Sequence, residues 1–240
     1  MEKILHVGLD VGSTTVKIIV MDNSLQTIYK DYQRHFSDTK NTVCNVLENL
    51  IKMYPNSLFT IALTGSGAMS AATFLDLPFI QEVVSCKRAV EKYIPETDVV
   101  IELGGEDAKI IYFDKSIEQR MNGTCAGGTG AFIDQMASLL NTDAEGLNEL
   151  AKKYKTIYPI ASRCGVFAKT DIQPLLNEGA DRSDIAASIF QAVVNQTISG
   201  LACGRPIRGN VAFLGGPLNY LSELRKRFIE TPNLKENEIV

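Results

Sequence analysis

The 240-residue chain has no excess of basic residues. Its 24 Lys and Arg residues are outnumbered by 28 Asp and Glu residues, and the formal net charge is −4. A nucleic acid or an anionic membrane is bound through basic surface, so neither is expected as a partner. No unbroken apolar run reaches the roughly 18 residues of a membrane span. Because no signal peptide precedes the first strand pattern, we expect a cytoplasmic protein.

Cysteine is scarce, and its spacing contains no Cys-x-x-Cys pair. The five cysteines are Cys44, Cys86, Cys125, Cys164 and Cys203. An odd, widely spread set argues against a disulfide framework and leaves metal ligation, redox chemistry or burial. Cys44 and Cys86 lie in helical patterns and are expected to be packing residues. Cys203 is a weaker candidate for a further redox thiol, and one chain alone offers no compact site of four cysteines.

The most informative stretch is residues 120–134, RMNGTCAGGTGAFID. Small residues follow Cys125, and apolar residues at helical spacing come next, so a helix is predicted to start with Thr129 as its N-cap. Cys125 would then face the positive end of the helix dipole and unpaired backbone N–H groups, which favour a thiolate. Cys164 lies at a second predicted junction between a loop and a helix. The alternative is a glycine-rich turn with an incidental cysteine.

A unit of strand, acidic glycine-containing turn and returning strand occurs twice. Asp10 ends the first strand of one copy and Glu102 ends that of the other, and the two positions are 102 − 10 = 92 residues apart. Internal repetition of this kind predicts two similar lobes. We place them at residues 1–96 and 97–240, the second with inserted helices. The alternative is two unrelated hairpins.

The first turn has the composition of a site for phosphate and a metal ion. Asp10 can hold Mg²⁺ through water, and hydroxyl and backbone N–H groups of Gly12, Ser13 and Thr14 can bind phosphate oxygens. Lys17 can add positive charge. Taken alone, such a turn is more often part of an ordinary hairpin. The occurrence of similar turns elsewhere in the chain is what favours a phosphate site.

The second turn repeats this chemistry, and a third strand end adds to it. Glu102 and Asp107 can position a metal ion or water. Glycines that permit close approach of a ligand to the backbone are Gly104, Gly105, Gly215 and Gly216. The last pair can let an adenosine pack on the chain. No Gly-x-x-x-x-Gly-Lys-[Ser/Thr] motif is present, and no Gly-x-Gly-x-x-Gly lies between a strand and a helix, which argues against a P-loop or a dinucleotide fold.

The order of these motifs resembles the BadF/BadG/BcrA/BcrD ATPase family, which includes activators of 2-hydroxyacyl-CoA dehydratases and benzoyl-CoA reductases. The motifs are Asp10-x-Gly-Ser-Thr, Gly104-Gly-x-Asp107, Cys125-Ala-x-Gly-Thr-Gly130, Cys164 before Val-Phe-Ala, and Gly215-Gly216. The likeness covers nearly the whole chain. It implies an α/β fold of two ribonuclease-H-like lobes, as in the actin, sugar kinase and heat-shock-cognate ATPase superfamily.

The resemblance also implies a function, an ATPase coupled to electron transfer. It implies ATP or ADP with Mg²⁺, a homodimer, and one 4Fe–4S cluster held by Cys125 and Cys164 of both subunits. An electron from ferredoxin or flavodoxin would pass to a dehydratase or reductase partner enzyme. The expected catalytic residues are Asp10, Glu102 and Asp107. The expected nucleotide-binding residues are Gly12, Ser13, Thr14, Lys17, Gly104, Gly105, Gly128, Thr129, Gly215 and Gly216.

The chain departs from the family pattern at several positions. Lys87 stands where shorter activators carry His, Glu102 where many have Asp, and Glu106 where many have Gln. These residues resemble the amino-terminal module of larger activases. The final strand and Gly-Ala helix of the family are not seen, so a truncated C-terminal part is expected. The alternatives are a small-molecule kinase, such as a sugar kinase, on the same fold, and a non-catalytic nucleotide-binding regulatory module.

Overall fold

The computed structural model describes residues 3–114, 117–122 and 127–240. The chain divides into two compact units, Met1–Tyr93 and Ile94–Val240. Each unit contains one four-stranded sheet with helices packed against it.

The first unit is built on the sheet order β3-β2-β1-β4. Its strands are β1 (Lys3–Val11), β2 (Thr15–Met21), β3 (Thr27–Arg34) and β4 (Ser57–Thr64). Its helices are α1 (Thr39–Met53), α2 (Ala68–Leu75) and α3 (Glu82–Tyr93). β2 runs antiparallel to β1 and β3, whereas β4 runs parallel to β1. The carboxyl ends of β1 and β4 therefore lie at one edge of the sheet.

Alternation along the strands builds the core of this unit. The buried apolar residues of β1 and β2 are Leu5, Val7, Leu9, Val11, Val16, Ile18 and Val20. They share one face because side chains alternate across a strand. On α1, Val43, Val46 and Leu50 recur at helical spacing and pack on that face, as the apolar stripe at residues 41–54 predicts.

The second unit has the sheet order β7-β6-β5-β8. Its strands are β5 (Val99–Leu103), β6 (Ala108–Phe113), β7 (Ile117–Met121) and β8 (Val211–Leu214). Its helices are α4 (Gly130–Leu139), α5 (Ala144–Ala151), α6 (Gly165–Asn177), α7 (Arg182–Thr197), α8 (Gly216–Tyr220) and α9 (Ser222–Glu230). A π-helical turn, Ile198–Ala202, continues α7, and a short 3₁₀ turn, Glu236–Glu238, lies near the end.

The predicted repeat is confirmed by the two sheets. They have the same strand order, and in each the acidic residue pairs with a lysine seven positions later, Asp10 with Lys17 and Glu102 with Lys109. Each sheet also gains a parallel bridge beside its fourth strand. Phe79 bridges to Leu63 in the first unit, and Ile239 bridges to Val211 in the second.

The polar segment 230–240 contacts both the second sheet and its core. The N–H group of Val240 donates to the carbonyl of Val211 at 3.2 Å, and Leu234 packs against the core of the second unit. This segment is therefore attached to the edge of the second sheet.

The helical run Arg182–Ala202 is the central core helix of the second unit. By length and composition alone its 21 residues could cross a membrane. It is not an unbroken apolar run, because polar residues such as Asp184 interrupt it. In the structure 67% of its most apolar window is buried, and Phe190 is among the largest fully buried side chains. That burial is typical of a core helix in a globular protein.

Candidate functional site

The first acidic turn is held by an ion pair between its two ends. The antiparallel register of β1 and β2 places Asp10 opposite Lys17, and Lys17 Nζ donates to Asp10 Oδ2 at 2.7 Å. The Asp10 side chain is 28% exposed and the Lys17 side chain is 37% exposed. The turn itself is closed by the N–H group of Gly12, which donates to the carbonyl of Thr15 at 2.9 Å. The predicted metal-binding carboxylate and the predicted phosphate-binding cation thus contact each other directly.

The loop after β4 packs against this turn, which the sequence-based choice of site residues misses. Gly65 has φ +99°, and an added Cβ would lie 2.4 Å from both Asp10 Oδ1 and the carbonyl oxygen of Val11. The N–H group of Gly67 donates to the same carbonyl at 2.8 Å. Only glycine fits at position 65. The signal that could have found it is the parallel pairing of β1 with β4, which places Thr64 beside Asp10.

An apolar cavity of about 480 Å³ lies within the first unit, next to the ion pair. Its lining includes Gly8, Ala62 and Tyr93 in addition to Asp10 and Lys17. An added Cβ at Gly8 would meet no described atom within 4 Å. The ion pair therefore lies at the boundary between apolar surface and the polar turn.

The second acidic turn contains a buried lysine between two carboxylates. Lys109 Nζ lies 2.6 Å from Asp107 Oδ2 and 3.4 Å from Glu102 Oε1, and the lysine side chain is 3% exposed. Glu102 is 16% exposed and Asp107 is 34% exposed. A buried ammonium group needs such partners to remain charged. Sequence reasoning assigned roles to the two acids and missed the lysine that joins them.

Glycines allow close packing in the same region of the second unit. An added Cβ at Gly104 would lie 2.0 Å from Asp107 Oδ1, and one at Gly130 would lie 3.2 Å from the carbonyl of Gly104. Gly215 has φ +88°, and its Cβ would lie 2.0 Å from the carbonyl of Leu103. The structure therefore brings together the second turn, the start of α4 and the end of β8. The space that a Cβ would fill at these three glycines is occupied by other atoms of the protein, so the glycines permit close packing of the chain against itself.

The start of α4 confirms the predicted N-cap and corrects the prediction about its donors. Thr129 precedes the helix with extended backbone angles, φ −120° and ψ 176°. We expected unpaired N–H groups at this end. Instead, the N–H group of Gly130 donates to the carbonyl of Gly104 at 3.0 Å, and that of Ala131 donates to Gly105 at 2.7 Å. The second acidic turn thus satisfies donors that the helix alone leaves unpaired.

Residues 127–129 are buried against other parts of the second unit. Gly128 has φ +80°, and an added Cβ would lie 3.1 Å from Gln196 Cγ on α7. Thr129 is 0% exposed. The predicted nucleotide contact at these positions would therefore need to be made through the backbone near Gly130.

Of the two cysteines expected to bind the cluster, Cys125 lies outside the described residues. Cys164 is the N-cap of α6, at the predicted junction between loop and helix. An added Cβ at Gly127 would lie 2.4 Å from the carbonyl oxygen of Arg163. The backbone two residues after Cys125 therefore packs against the residue before Cys164. The contact is made by Gly127 and Arg163, and the cluster site expected at Cys125 and Cys164 stays a prediction.

The other cysteines differ in their surroundings. Cys44 is exposed and Cys86 is half-buried, so the expected packing role is wrong for Cys44, which lies on the solvent side of α1. Cys203 is exposed, and its thiol donates to the carbonyl of Gly200 at 3.3 Å. Within residues 3–114, 117–122 and 127–240, no group of three or more His, Cys, Asp or Glu side chains could hold a metal ion.

A charge network at β7 lies away from the acidic turns. A hydrogen bond from Arg120 holds the pKa of Glu118 below its ordinary value. Arg205 stacks on Tyr112 at 3.8 Å, and burial raises the pKa of that phenol. Arg120 also donates to the carbonyls of Leu201 and Ala202. The network therefore fastens the π-helical turn to the edge of the sheet.

Two sheets of identical order, each with an acidic turn after its first strand, define an α/β fold of the actin, sugar kinase and heat-shock-cognate ATPase class. The fold of ethanolamine utilization protein EutJ from Carboxydothermus hydrogenoformans agrees, with a TM-score of 0.57 at 13% identity over 96% of this chain and 83% of that one. The expected fold class is confirmed. The family model for the BadF/BadG/BcrA/BcrD ATPase family matches residues 7–238, and the chain belongs to this family.

Two activators of CoA dehydratases are similar to this chain over most of its length. The (R)-2-hydroxyglutaryl-CoA dehydratase activating ATPase of Acidaminococcus fermentans is 33% identical over 219 residues, which are 89% of this chain and 83% of the relative. The solved activator of the 2-hydroxyisocaproyl-CoA dehydratase from Clostridium difficile, with bound ADPNP, has a TM-score of 0.85 at 27% identity. That match covers 98% of this chain and 87% of the other.

Proposed function

We propose that this protein is an ATP-hydrolysing iron–sulfur activator that transfers an electron to a 2-hydroxyacyl-CoA dehydratase-type partner enzyme. The observation that carries the proposal is the packing of Gly127 against the carbonyl of Arg163. It brings the backbone that follows Cys125 next to the N-cap residue Cys164. A kinase or a regulatory module on the same fold has no need for this juxtaposition.

Nucleotide binding is assigned to the acidic turns of the two units, which we take as the two ribonuclease-H-like lobes. In the first unit Asp10 and Lys17 flank the backbone of Gly12, Ser13 and Thr14. The close packing around Gly65 leaves that turn little freedom, so the N–H groups of Ser13 and Thr14 are pre-organised for phosphate oxygens, while that of Gly12 closes the turn. The proposed contacts in the second unit are Gly104, Gly105, Gly128, Thr129, Gly215 and Gly216.

The carboxylates supply the proposed hydrolytic chemistry. Lys109 lies within 3.4 Å of Glu102 and 2.6 Å of Asp107, so the lysine positions both acidic side chains. As carboxylates they can accept hydrogen bonds from a water molecule and orient its lone pair towards a phosphoryl group. Asp10 would hold Mg²⁺ through water, and the metal ion would neutralise phosphate charge.

The cluster is assigned to Cys125 and Cys164 of two subunits in a homodimer. A 4Fe–4S cluster requires four thiolates, and a two-fold axis doubles the two that one chain supplies. The donor set fits because a thiolate is the ligand that iron–sulfur clusters take, and Cys164 is held at the N-cap of α6. Val166 and Phe167 follow it and are 68% and 65% exposed, which suits coverage by a second subunit. When bound, the cluster would accept one electron from ferredoxin or flavodoxin and pass it on.

The nucleotide part of the proposal is tested by ATP hydrolysis. The wild-type protein is expected to hydrolyse MgATP, and Asp107→Asn is expected to lower kcat by about 10²-fold, since one positioned carboxylate contributes on that order. Glu48→Gln, on the exposed face of α1, is the control and should behave as wild type. Hydrolysis by Asp107→Asn at the wild-type rate would overturn the assignment.

The kinase alternative makes the opposite prediction about cysteine. A sugar kinase would release ADP in a sugar-dependent manner, and Cys125→Ser would leave that rate unchanged. The activator is expected to show no sugar dependence and to lose its cluster in the same variant. A panel of sugars assayed with both proteins distinguishes the two functions.

A further inference from the structure

His35 contacts both ends of the Gly12–Thr14 segment. It directly follows β3 and is 6% exposed. Its Nε2 lies 3.2 Å from the carbonyl oxygen of Gly12, and its backbone N–H group donates to the carbonyl of Thr14 at 3.1 Å. The histidine therefore holds two carbonyls of the turn to which phosphate binding is assigned above.

The hydrogen bonds of the ring determine where its proton lies. Nδ1 lies 3.2 Å from the backbone nitrogen of Ser37 and 3.3 Å from Thr39 Oγ1. A backbone N–H group can only donate, so Nδ1 is an acceptor and carries no proton. The neutral ring then has its proton on Nε2, and this N–H group donates to the carbonyl of Gly12.

Two residues in left-handed backbone conformations hold the ring in this arrangement. Phe36 has φ 45° and Ser37 has φ 68°, a region that residues with side chains rarely occupy. The Phe36 side chain is 83% exposed, so its burial does not stabilise the turn. The N–H group of Asp38 closes the turn by donating to the carbonyl of His35 at 2.7 Å. Unfavourable backbone angles of this kind persist where the surrounding structure imposes them, often next to functional sites.

We propose that His35 is a positioning residue that aims the Ser13 N–H group at a nucleotide phosphate. The carbonyl of Gly12 and the N–H group of Ser13 belong to one planar trans peptide and point in opposite directions. A hydrogen bond that fixes the carbonyl towards His35 therefore fixes the N–H group away from it, on the far side of the turn. The inference rests on the proposed nucleotide-binding function, and it assigns His35 no contact with the nucleotide itself.

The test compares nucleotide affinity in four proteins by calorimetric titration with a non-hydrolysable ATP analogue and Mg²⁺. His35→Leu removes the donor and is expected to weaken binding about tenfold, the effect of one hydrogen bond with a moderate contribution. His35→Gln offers an amide N–H group to the same carbonyl and should recover most of the affinity. His6→Leu is the matched control, since the only other histidine of the chain contacts Thr60 on β4.

A second measurement keeps the inference testable if His35→Leu folds poorly. In the His6→Leu protein, labelled with ¹⁵N-histidine, His35 is the only imidazole, and its nitrogen shifts report the tautomer. We expect a neutral ring protonated on Nε2, with resonances that shift when the ATP analogue and Mg²⁺ are added. A proton on Nδ1 would overturn the inference.

The role of His35 and the proposed nucleotide-binding function would be overturned by different results. Equal affinity of the wild type and His35→Leu would overturn the role of His35 and leave nucleotide binding intact. A wild-type protein that binds no nucleotide would overturn the proposed function and this inference with it.

Discussion

Lys109 Nζ lies 2.6 Å from Asp107 Oδ2 while only 3% of the lysine side chain is exposed. In the first unit Lys17, the structural equivalent of Lys109, lies 2.7 Å from Asp10, the equivalent of Glu102, and this pair is far more exposed. One structural repeat therefore holds a solvated ion pair, and the other holds a buried one that also includes Glu102. Because a buried charge depends on its partners, the second turn is the more sensitive of the two to substitution.

The variant Lys109→Met is expected to destabilise the protein by about 3 kcal/mol, since removing one partner leaves buried carboxylate charge uncompensated. MgATP hydrolysis is expected to fall by at least about tenfold, because the two carboxylates lose the cation that positions them. Urea denaturation and the hydrolysis rate below the unfolding transition measure the two effects.

Arg227→Met is the matched control for that variant. Arg227 is 10% exposed, pairs with Glu230 at 2.7 Å and stacks on Tyr154, so it is a buried cation of the same unit outside the acidic turn. It should lower stability and leave hydrolysis by the folded protein unchanged. If Lys109→Met behaved in the same way, the role of Lys109 in the site would be wrong.

Gly215 and Gly204 test how closely the end of β8 approaches β5. Their φ values are +88° and +82°, but an added Cβ at Gly215 would overlap the carbonyl of Leu103, whereas one at Gly204 meets no described atom within 4 Å. Gly204→Ala should destabilise by about 1 kcal/mol from backbone strain alone. Gly215→Ala should destabilise by about 3 kcal/mol or more, because strain and overlap add. Equal urea midpoints for the two variants would contradict the close approach.

Gly127 tests the contact that carries the proposed cluster site. Gly127→Ala would place a Cβ 2.4 Å from the carbonyl oxygen of Arg163, so one of the two segments must move. Iron retained after anaerobic purification is expected to fall to below about half of the wild-type amount, because ligand positions tolerate little displacement. Gly8→Ala, in open space on β1, is the control and should retain the wild-type amount.

Asp181 gives a prediction about acid stability. The hydrogen bond from the backbone N–H group of Ser183 holds the pKa of Asp181 below its ordinary value of 3.8, at the N-cap of α7. A lowered folded-state pKa stabilises the protein above pH 3.8, and this contribution disappears as the pH falls through the folded-state value. Asp181→Asn keeps a capping oxygen but lacks the charge. Its Tm should lie below that of the wild type at neutral pH and converge with it in acid; a constant difference would contradict the assignment.

Much of the architecture is predictable because its signals are local. Strand alternation and glycine placement predict both sheets, and the spacing of Asp10 and Glu102 predicts the repeat that the sheet order confirms. Between residues 216 and 230 the chain forms two helices, α8 and α9, separated at Leu221.

The parts of the site that the sequence does not predict depend on tertiary contacts. The function of His35 follows from its hydrogen bond to Gly12, 23 positions away. The N–H groups of Gly130 and Ala131 donate to carbonyls of the second acidic turn. Local helix-capping patterns do not predict these acceptors. The burial of Lys109 depends on strands from across the second unit. Local patterns identify the residue types of the site, and packing decides which of them contact one another.

The most direct test of the account is the iron and acid-labile sulfide content of anaerobically purified protein, measured together with its mass in solution. The account predicts a dimer with about four iron and four sulfide per two chains. Cys164→Ser and Cys125→Ser should lose the iron, whereas Cys44→Ser, at an exposed position on α1, should retain it. A wild-type protein without iron, or one whose iron survives both Cys125→Ser and Cys164→Ser, would contradict the account.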